Sequence, residues 1–262
     1  MTDSPVRVER RGTVFEVTLD RPKANAIDAA TSRIMGRTFA EFRDDPAYRV
    51  AIVTGGGEKF FSAGWDLKNA AAEGARPDED YGIGGFAGLQ ELPGVNKPVI
   101  AALNGMAVGG GFELALSCDL IIAAEHVRLA LPEIKAGTLA DAATIKLPKR
   151  IPYHVAMDLL LTGRWMDAQE AHHFGLVNEI VPADRLMTRA RELADLLASG
   201  PPLVFAAIKE VARESETLSF RDAIARCMRR GFPTVERLYS SEDQMEGARA
   251  FAEKRPPVWK GV

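Results

Sequence analysis

Residues 104–113 read Asn-Gly-Met-Ala-Val-Gly-Gly-Gly-Phe-Glu and follow directly on the apolar run Pro98–Leu103. A short, wholly apolar run bounded by turn residues reads as a strand buried on both faces. Three consecutive glycines, Gly109 to Gly111, break it, and the chain then opens a helix near Gly110. The first backbone N–H groups of a helix have no partner inside it, and glycine lets another group approach them closely. This strand–turn–helix unit sets the expectation of an α/β fold with a site at its bend. A dinucleotide fingerprint fails because Leu114 stands where the third glycine belongs. A phosphate-binding Walker loop is excluded because no Gly-Lys dipeptide occurs.

Upstream, Val6, Val8, Val14, Phe15, Val17 and Leu19 form a strand pair turning at Gly12. Asp28 is placed to cap a helix running to about Asp45, with Ile34, Met35, Phe39 and Phe42 at helical spacing. Val50–Thr54 is a second buried strand, stopped by Gly55-Gly56-Gly57. From Asn69 to Gly94 the chain is irregular and rich in Ala, Gly and acids, as expected of a loop or lid. Gly82, Gly84 and Ala87 match a loose nucleotide-loop pattern, but the preceding DEDY is no strand.

Downstream, Leu120–Ala124 and Val127–Leu131 read as strands. After Pro148 the pattern turns helical, over Val155–Thr162, Ala168–Phe174, Ala183–Ala198, Leu203–Glu214, Phe220–Arg229 and Glu242–Glu253, with one strand near Val177–Val181. Gly200-Pro201-Pro202 marks the expected boundary between an α/β core at 1–198 and a helical region at 199–262.

With 33 basic and 36 acidic residues the net charge is −3, which offers nucleic acid or an anionic membrane no general attraction. The densest basic cluster, Arg226, Arg229 and Arg230, reads as a solvated helix face. Cys118 and Cys227 form no metal-ligand or CxxC spacing, and Cys118 lies in the apolar window LALSCDLII, so a reducing compartment fits. The amino-terminal MTDSPVRVERRG has no apolar leader core, and no apolar run is long enough to span a bilayer. The expectation is a cytoplasmic protein. The histidines, His126, His154 and the adjacent His172 and His173, suggest neither a metal site nor a catalytic triad.

Two carboxylates stand out. Glu113 sits between Phe112 and Leu114-Ala115-Leu116. Desolvation raises its proton affinity and the helix start lowers it, a balance suited to acid/base work. A capping or salt-bridged glutamate is the plain alternative. Glu133 follows twenty residues later in Leu131-Pro132-Glu133-Ile134, after two strands able to return the chain beside the same bend. Two carboxylates in different surroundings can divide acid and base roles. The stretch Phe60-Phe61-Ser62-Ala63-Gly64-Trp65-Asp66-Leu67 carries small residues at 62–64, where a second backbone N–H can complete an oxyanion hole.

Taken together, Leu19–Ala26, Phe61–Leu67, Asn104–Glu113, Leu131–Gly137 and Leu161-Thr162-Gly163 resemble, in the same order, the crotonase (enoyl-CoA hydratase/isomerase) superfamily. FFSAGWDLK, GGFAGL and AFAEKRPPVWKG are most similar to the branch whose acyl group carries a quaternary ammonium. The resemblance implies a spiral of ββα units, a helical trimerisation region, a homotrimer or a hexamer of two trimers, and an acyl-CoA thioester substrate. It implies no metal or redox cofactor. By motif match, the N–H groups of Trp65 and Gly110 hold the thioester oxygen, and Glu113 and Glu133 handle water and its protons. Lys23, Ala24, Ala26, Ala63, Gly64, Asp66, Leu67 and Gly109 fall in the CoA and substrate loops.

The segment Thr138–Thr144 departs from the family pattern, lacking its Pro and Gly-Gly pair. That loop shapes the acyl end of the pocket in the family. Its Asp141 opens an isomerase or dehalogenase-type alternative, and a non-catalytic acyl-CoA- or RNA-binding protein is a more distant one. Trp65, Phe86 or Tyr81 is a candidate to face a trimethylammonium group by cation–π contact.

Overall fold

The computed structural model describes residues 4–262. The first three residues of the amino-terminal stretch examined for a leader lie outside them. The chain begins with β1 (Val6–Arg11) and β2 (Val14–Leu19), an antiparallel pair, then β3 (Ala26–Ile27) and α1 (Ala29–Asp44). Asp28 caps α1 by accepting from the Thr31 nitrogen at 2.7 Å. Three strand pairs follow, β4 (Val50–Gly55) with β5 (Phe60–Ser62), β7 (Val99–Leu103) with β8 (Met106–Val108), and β9 (Leu120–Ala124) with β10 (Arg128–Ala130). After them come, respectively, β6 (Gly64–Trp65) with α2 (Leu67–Glu73), α3 (Gly110–Ala115), and α4 (Glu133–Ala136).

In each pair the first strand enters a six-stranded sheet, ordered β1-β2-β4-β7-β9-β12. The second enters a four-stranded sheet, ordered β11-β10-β8-β5. Here β11 is Trp165–Asp167 and β12 is Glu179–Val181. The chain therefore coils through two sheets in repeated ββα turns, which is the expected spiral. Parallel pairing of β2, β4, β7 and β9 leaves the central strands covered on both faces, and every residue of β4 and β7 is buried. From α1, Met35, Phe39 and Phe42 are fully buried, and α8 (Leu186–Ala198) packs on β4, β7 and β9.

The carboxyl-terminal half adds α5 (Asp141–Arg150), α6 (Tyr153–Thr162), α7 (Ala168–His173), α9 (Pro202–Glu214), α10 (Phe220–Met228), α11 (Pro233–Tyr239) and α12 (Glu246–Glu253). Ala207, Phe232 and Val235 make a small separate apolar cluster. Arg49 bridges to this end, donating to the carbonyls of Ala198 and Trp259 at 3.1 and 2.8 Å. No helix among the described residues is long and apolar enough to cross a membrane.

Four local expectations need correction. Thr138–Thr144 is a loop only as far as Ala140; α5 starts at Asp141. Pro148 near its end does not stop it. The strand β11 and the helix α11 were not foreseen, the first because three residues carry no periodicity. Residues 60–67 are two short strands and a helix start rather than a loop. The irregular stretch after Asn69 begins as helix α2, and further on it is tightly packed: Ala87 is fully buried, and a Cβ at Gly88 would stand 2.2 Å from the Gly36 nitrogen. Gly88 thus seats this segment on α1, and Gly82, one of the glycines that mimic a nucleotide loop, lies over Arg33 of the same helix.

Candidate active site

The bend between β8 and α3 organises the site. Gly109 has φ +55, a conformation that favours glycine, and it donates to the Ala130 carbonyl at 2.9 Å. That bond extends the parallel register Ala130↔Val108 between β10 and β8. The next turn of chain, Leu131-Pro132-Glu133, is thereby brought against Gly109. A Cβ on Gly109 would stand 2.6 Å from Glu133 Oε1. The twenty-residue interval between the two glutamates is the length of this return through β9 and β10.

The second wall comes from β3 and β6, paired in parallel as Ala26↔Gly64 and Ile27↔Trp65. Ala63 donates to the Ala24 carbonyl and Asp66 to that of Ile27, at 2.9 and 3.0 Å. Arg21 locks the two loops together, donating to Asp66 Oδ2 at 2.6 Å and to Asp28 Oδ2 at 2.8 Å. Those two aspartates cap α2 and α1. A Cβ on Gly64 would lie 2.7 Å from the Gly110 nitrogen, so the Trp65 strand and the start of α3 meet backbone to backbone. The Gly110 N–H belongs to the first turn of α3, which has no acceptor within the helix.

These walls enclose a cleft of about 270 Å³. Trp65, Tyr81, Phe86, Gly110, Glu113, Glu133 and Asp141 all line it. Lys23, Ala24, Ala26, Ala63, Gly64, Asp66, Leu67 and Gly109 do not; they build or flank the supporting loops, with Lys23 and Leu67 exposed. Lining residues not anticipated include Asp78, Glu79, Gln90 and Glu91, whereas Leu139 belongs to the loop expected at the acyl end. The acidic run before Tyr81 was visible in the sequence, but nothing there tied it to a bend thirty residues away.

The two glutamates have different environments. Glu113 is 7% exposed, and its Oε1 accepts from the Ala143 nitrogen at 2.9 Å. Burial raises its pKa, and the nearby Asp141 charge adds to that; the Ala143 N–H opposes it. Gln90 also favours the anion from nearby, although its side-chain nitrogen is outside hydrogen-bond geometry. The donor that favours the Glu133 anion is its own backbone N–H. Its Oε2 is buried without a hydrogen-bond partner, and burial, reinforced by the Glu113 charge, pushes its pKa up to about 7. Burial pushes both carboxyls toward the neutral acid, and Glu113 alone accepts a hydrogen bond from the start of α5.

A ββα spiral that brings two glutamates to one glycine-rich bend is the arrangement expected of the crotonase class. The enoyl-CoA hydratase/isomerase family profile matches residues 9–262, and the chain belongs to that family. The carnitinyl-CoA dehydratase of Proteus mirabilis is 55% identical over 253 residues, covering 96% of each chain. That of Citrobacter koseri is 54% identical over 257 residues, covering 96% of this chain and 97% of its own. Among solved structures, an enoyl-CoA hydratase from Mycobacterium tuberculosis matches with a TM-score of 0.89 and 39% identity, over 99% of this chain and 100% of that one. An enoyl-CoA hydratase from Bacillus anthracis matches with a TM-score of 0.88 and 33% identity, over 98% and 100%. The protein is a hydro-lyase of the enoyl-CoA hydratase family.

Proposed function

We propose that the protein interconverts a 3-hydroxyacyl-CoA and its 2-enoyl-CoA, with carnitinyl-CoA and crotonobetainyl-CoA as the physiological pair. The unequal environments of Glu113 and Glu133 on one wall of the cleft carry this reading. In hydration, the thioester oxygen accepts from the N–H groups of Trp65 and Gly110. Glu113 takes a proton from water as its oxygen bonds to Cβ. The electrons of the double bond move onto the thioester oxygen as an enolate. Cα then takes a proton from neutral Glu133, and dehydration is the reverse. An oxyanion donor of this kind contributes roughly 3–4 kcal/mol of transition-state stabilisation. These steps draw on no metal or redox cofactor.

The choice of acyl group rests on the dehydratase relatives and on the aromatic lining of the cleft. Asp141 lines the cleft too, but the unpartnered Glu133 oxygen favours proton transfer to carbon over nucleophilic attack by Asp141. Lys23–Ala26, Ala63–Leu67 and Gly109 are proposed as the CoA-side support of the site. Residues 199–262 are proposed as the trimerisation region, in accord with the exposure there of Phe220, Met228 and Phe251.

Mass spectrometry of crotonyl-, crotonobetainyl-, 3-enoyl- and 4-chlorobenzoyl-CoA incubated with the protein in D2O tests the reading. Gain of one D2O by a 2-enoyl-CoA, greatest for crotonobetainyl-CoA, is expected. A moved double bond without added water would make the protein an isomerase, and chloride release would assign the chemistry to Asp141.

A further inference from the structure

Six of the fourteen residues lining the cleft are carboxylates, and none of those described is Lys, Arg or His. Two of the six are the proposed catalytic pair. An uncharged enoyl group has no use for the rest, and so strong a negative lining opposes any anionic acyl group. Asp78 is already paired with Arg76, and Glu79 accepts from the Arg76 nitrogen. Asp141, in the first turn of α5, has no salt-bridge partner among the described residues. It lines the cleft together with Glu113, Tyr81 and Phe86, and its charge acts on both Glu113 and Tyr81.

On that side Tyr81 and Phe86 meet edge to face, with ring centroids 5.2 Å apart. Trp65 adds a third ring to the lining. The Tyr81 hydroxyl is tied back to the Pro77 carbonyl at 3.0 Å, which fixes the ring without using its face. Phe86 is fixed from the other side, since a Cβ on Gly110 would stand 2.2 Å from its ring. Fixed aromatic rings beside an unpaired carboxylate are the chemistry that holds a quaternary ammonium. Such a cation cannot donate a hydrogen bond, so it is recognised by ring faces and by charge alone. The helix dipole also favours an aspartate at Asp141, but it does not explain a cleft lined with acids and aromatics and without a basic side chain.

Resting on the proposed dehydratase reading, we infer that Tyr81, Phe86 and Trp65 with the carboxylate of Asp141 form a specificity subsite for a quaternary ammonium at the far end of the acyl chain. Asp141 serves there as counter-charge and takes no part in the bond-making steps.

The experiment compares kcat/KM for crotonobetainyl-CoA with that for its uncharged isostere, 5,5-dimethylhex-2-enoyl-CoA, in which carbon replaces the ammonium nitrogen. Crotonyl-CoA reports hydration itself. The unsubstituted protein is expected to prefer the cation by at least about tenfold. Asp141→Asn and Tyr81→Leu are each expected to lower that preference by about three- to tenfold. Tyr81→Phe, which keeps the ring, is expected to retain most of it. An unchanged preference in both Asp141→Asn and Tyr81→Leu, or no preference in the unsubstituted protein while crotonyl-CoA is still hydrated, would overturn the subsite and leave the hydratase reading standing. Hydration of none of the three would overturn the proposed function, and the subsite with it.

Discussion

Glu113 accepts a hydrogen bond from the backbone nitrogen of Ala143, 2.9 Å away at the start of α5, whereas the buried Oε2 of Glu133 accepts none. A donor aimed at a carboxylate stabilises its anion; burial without a donor stabilises the neutral acid. In the proposed mechanism the form active in hydration has Glu113 charged and Glu133 protonated. Because the Glu133 pKa is pushed up to about 7, kcat/KM for hydration is expected to fall as pH rises through that value. Glu133→Gln is expected to lose the limb together with about 10²–10⁴-fold of the rate. A pH–rate profile that is flat from pH 6 to 9 would remove Glu133 as the proton donor.

The same group leaves a mark on stability. A carboxyl whose pKa is higher folded than unfolded binds its proton more tightly in the native state. Unfolding then becomes easier as pH rises from the ordinary value of 4.5 through about 7. Both states are protonated below that window, so the cost vanishes there. Glu133→Gln has no charge to bury and is expected to be more stable than the unsubstituted protein at pH 8, by at most about 3 kcal/mol, with little difference at pH 4. Urea unfolding of the two proteins at both pH values checks this. A variant that gains nothing on going from pH 4 to pH 8 would show that Glu133 is solvated.

Gly109 is tested from the backbone side. An alanine there must adopt φ +55 and place its Cβ 2.6 Å from Glu133 Oε1. The strain costs about 1–2 kcal/mol, and the methyl group displaces the proposed acid. Gly109→Ala is expected to lower Tm by several degrees and kcat by about 10²-fold, because a misplacement of about 1 Å has that effect on chemistry. Gly137 also has positive φ, but nothing lies near its Cβ position. Gly137→Ala therefore pays the strain alone, and a kcat loss equal to that of Gly109→Ala would deny the special role of the Glu133 contact.

How far these features could be read from residue order depends on their range. The central strands announced themselves because burial on both faces demands unbroken apolar runs, as in Val50–Thr54 and Pro98–Leu103. The α1 cap was legible because Asp28 acts on a residue three positions away. The pairing of Glu113 with Glu133 was foreseen only as a possible return of the chain; the register Ala130↔Val108 that brings it about is a tertiary fact. The start of α5 was missed because Thr138–Thr144 carries no capping side chain, and its first N–H groups are used instead by Glu113. Asp78 and Glu79 were missed because an acidic run in an irregular segment reads as solvated surface until packing against α1 turns it toward the cleft.

Arg21 separates support of the site from its chemistry. Its guanidinium donates to Asp66, Asp28 and the Ala26 carbonyl, and so holds β3 against β6 beneath Trp65. Arg21→Met keeps much of the side-chain volume and removes every one of these bonds. The two aspartates remain as helix caps, so α1 and α2 are expected to survive while the Trp65 strand loosens. With the ion pairs about three-quarters shielded on the Arg21 side, the expected loss is about 1–3 kcal/mol of stability. Loosening is expected to lower kcat by displacing the Trp65 N–H from its proposed contact with the thioester oxygen, and to raise KM by opening the proposed CoA-side loop. The pH limb expected near 7, assigned to the proposed acid Glu133, is expected to stay where it is. Steady-state kinetics across pH, with thermal unfolding alongside, reads both effects at once. A shifted limb would mean that Arg21 acts on the carboxylates themselves, and unchanged kcat with lowered Tm would mean that the β3–β6 pair carries no part of the oxyanion hole.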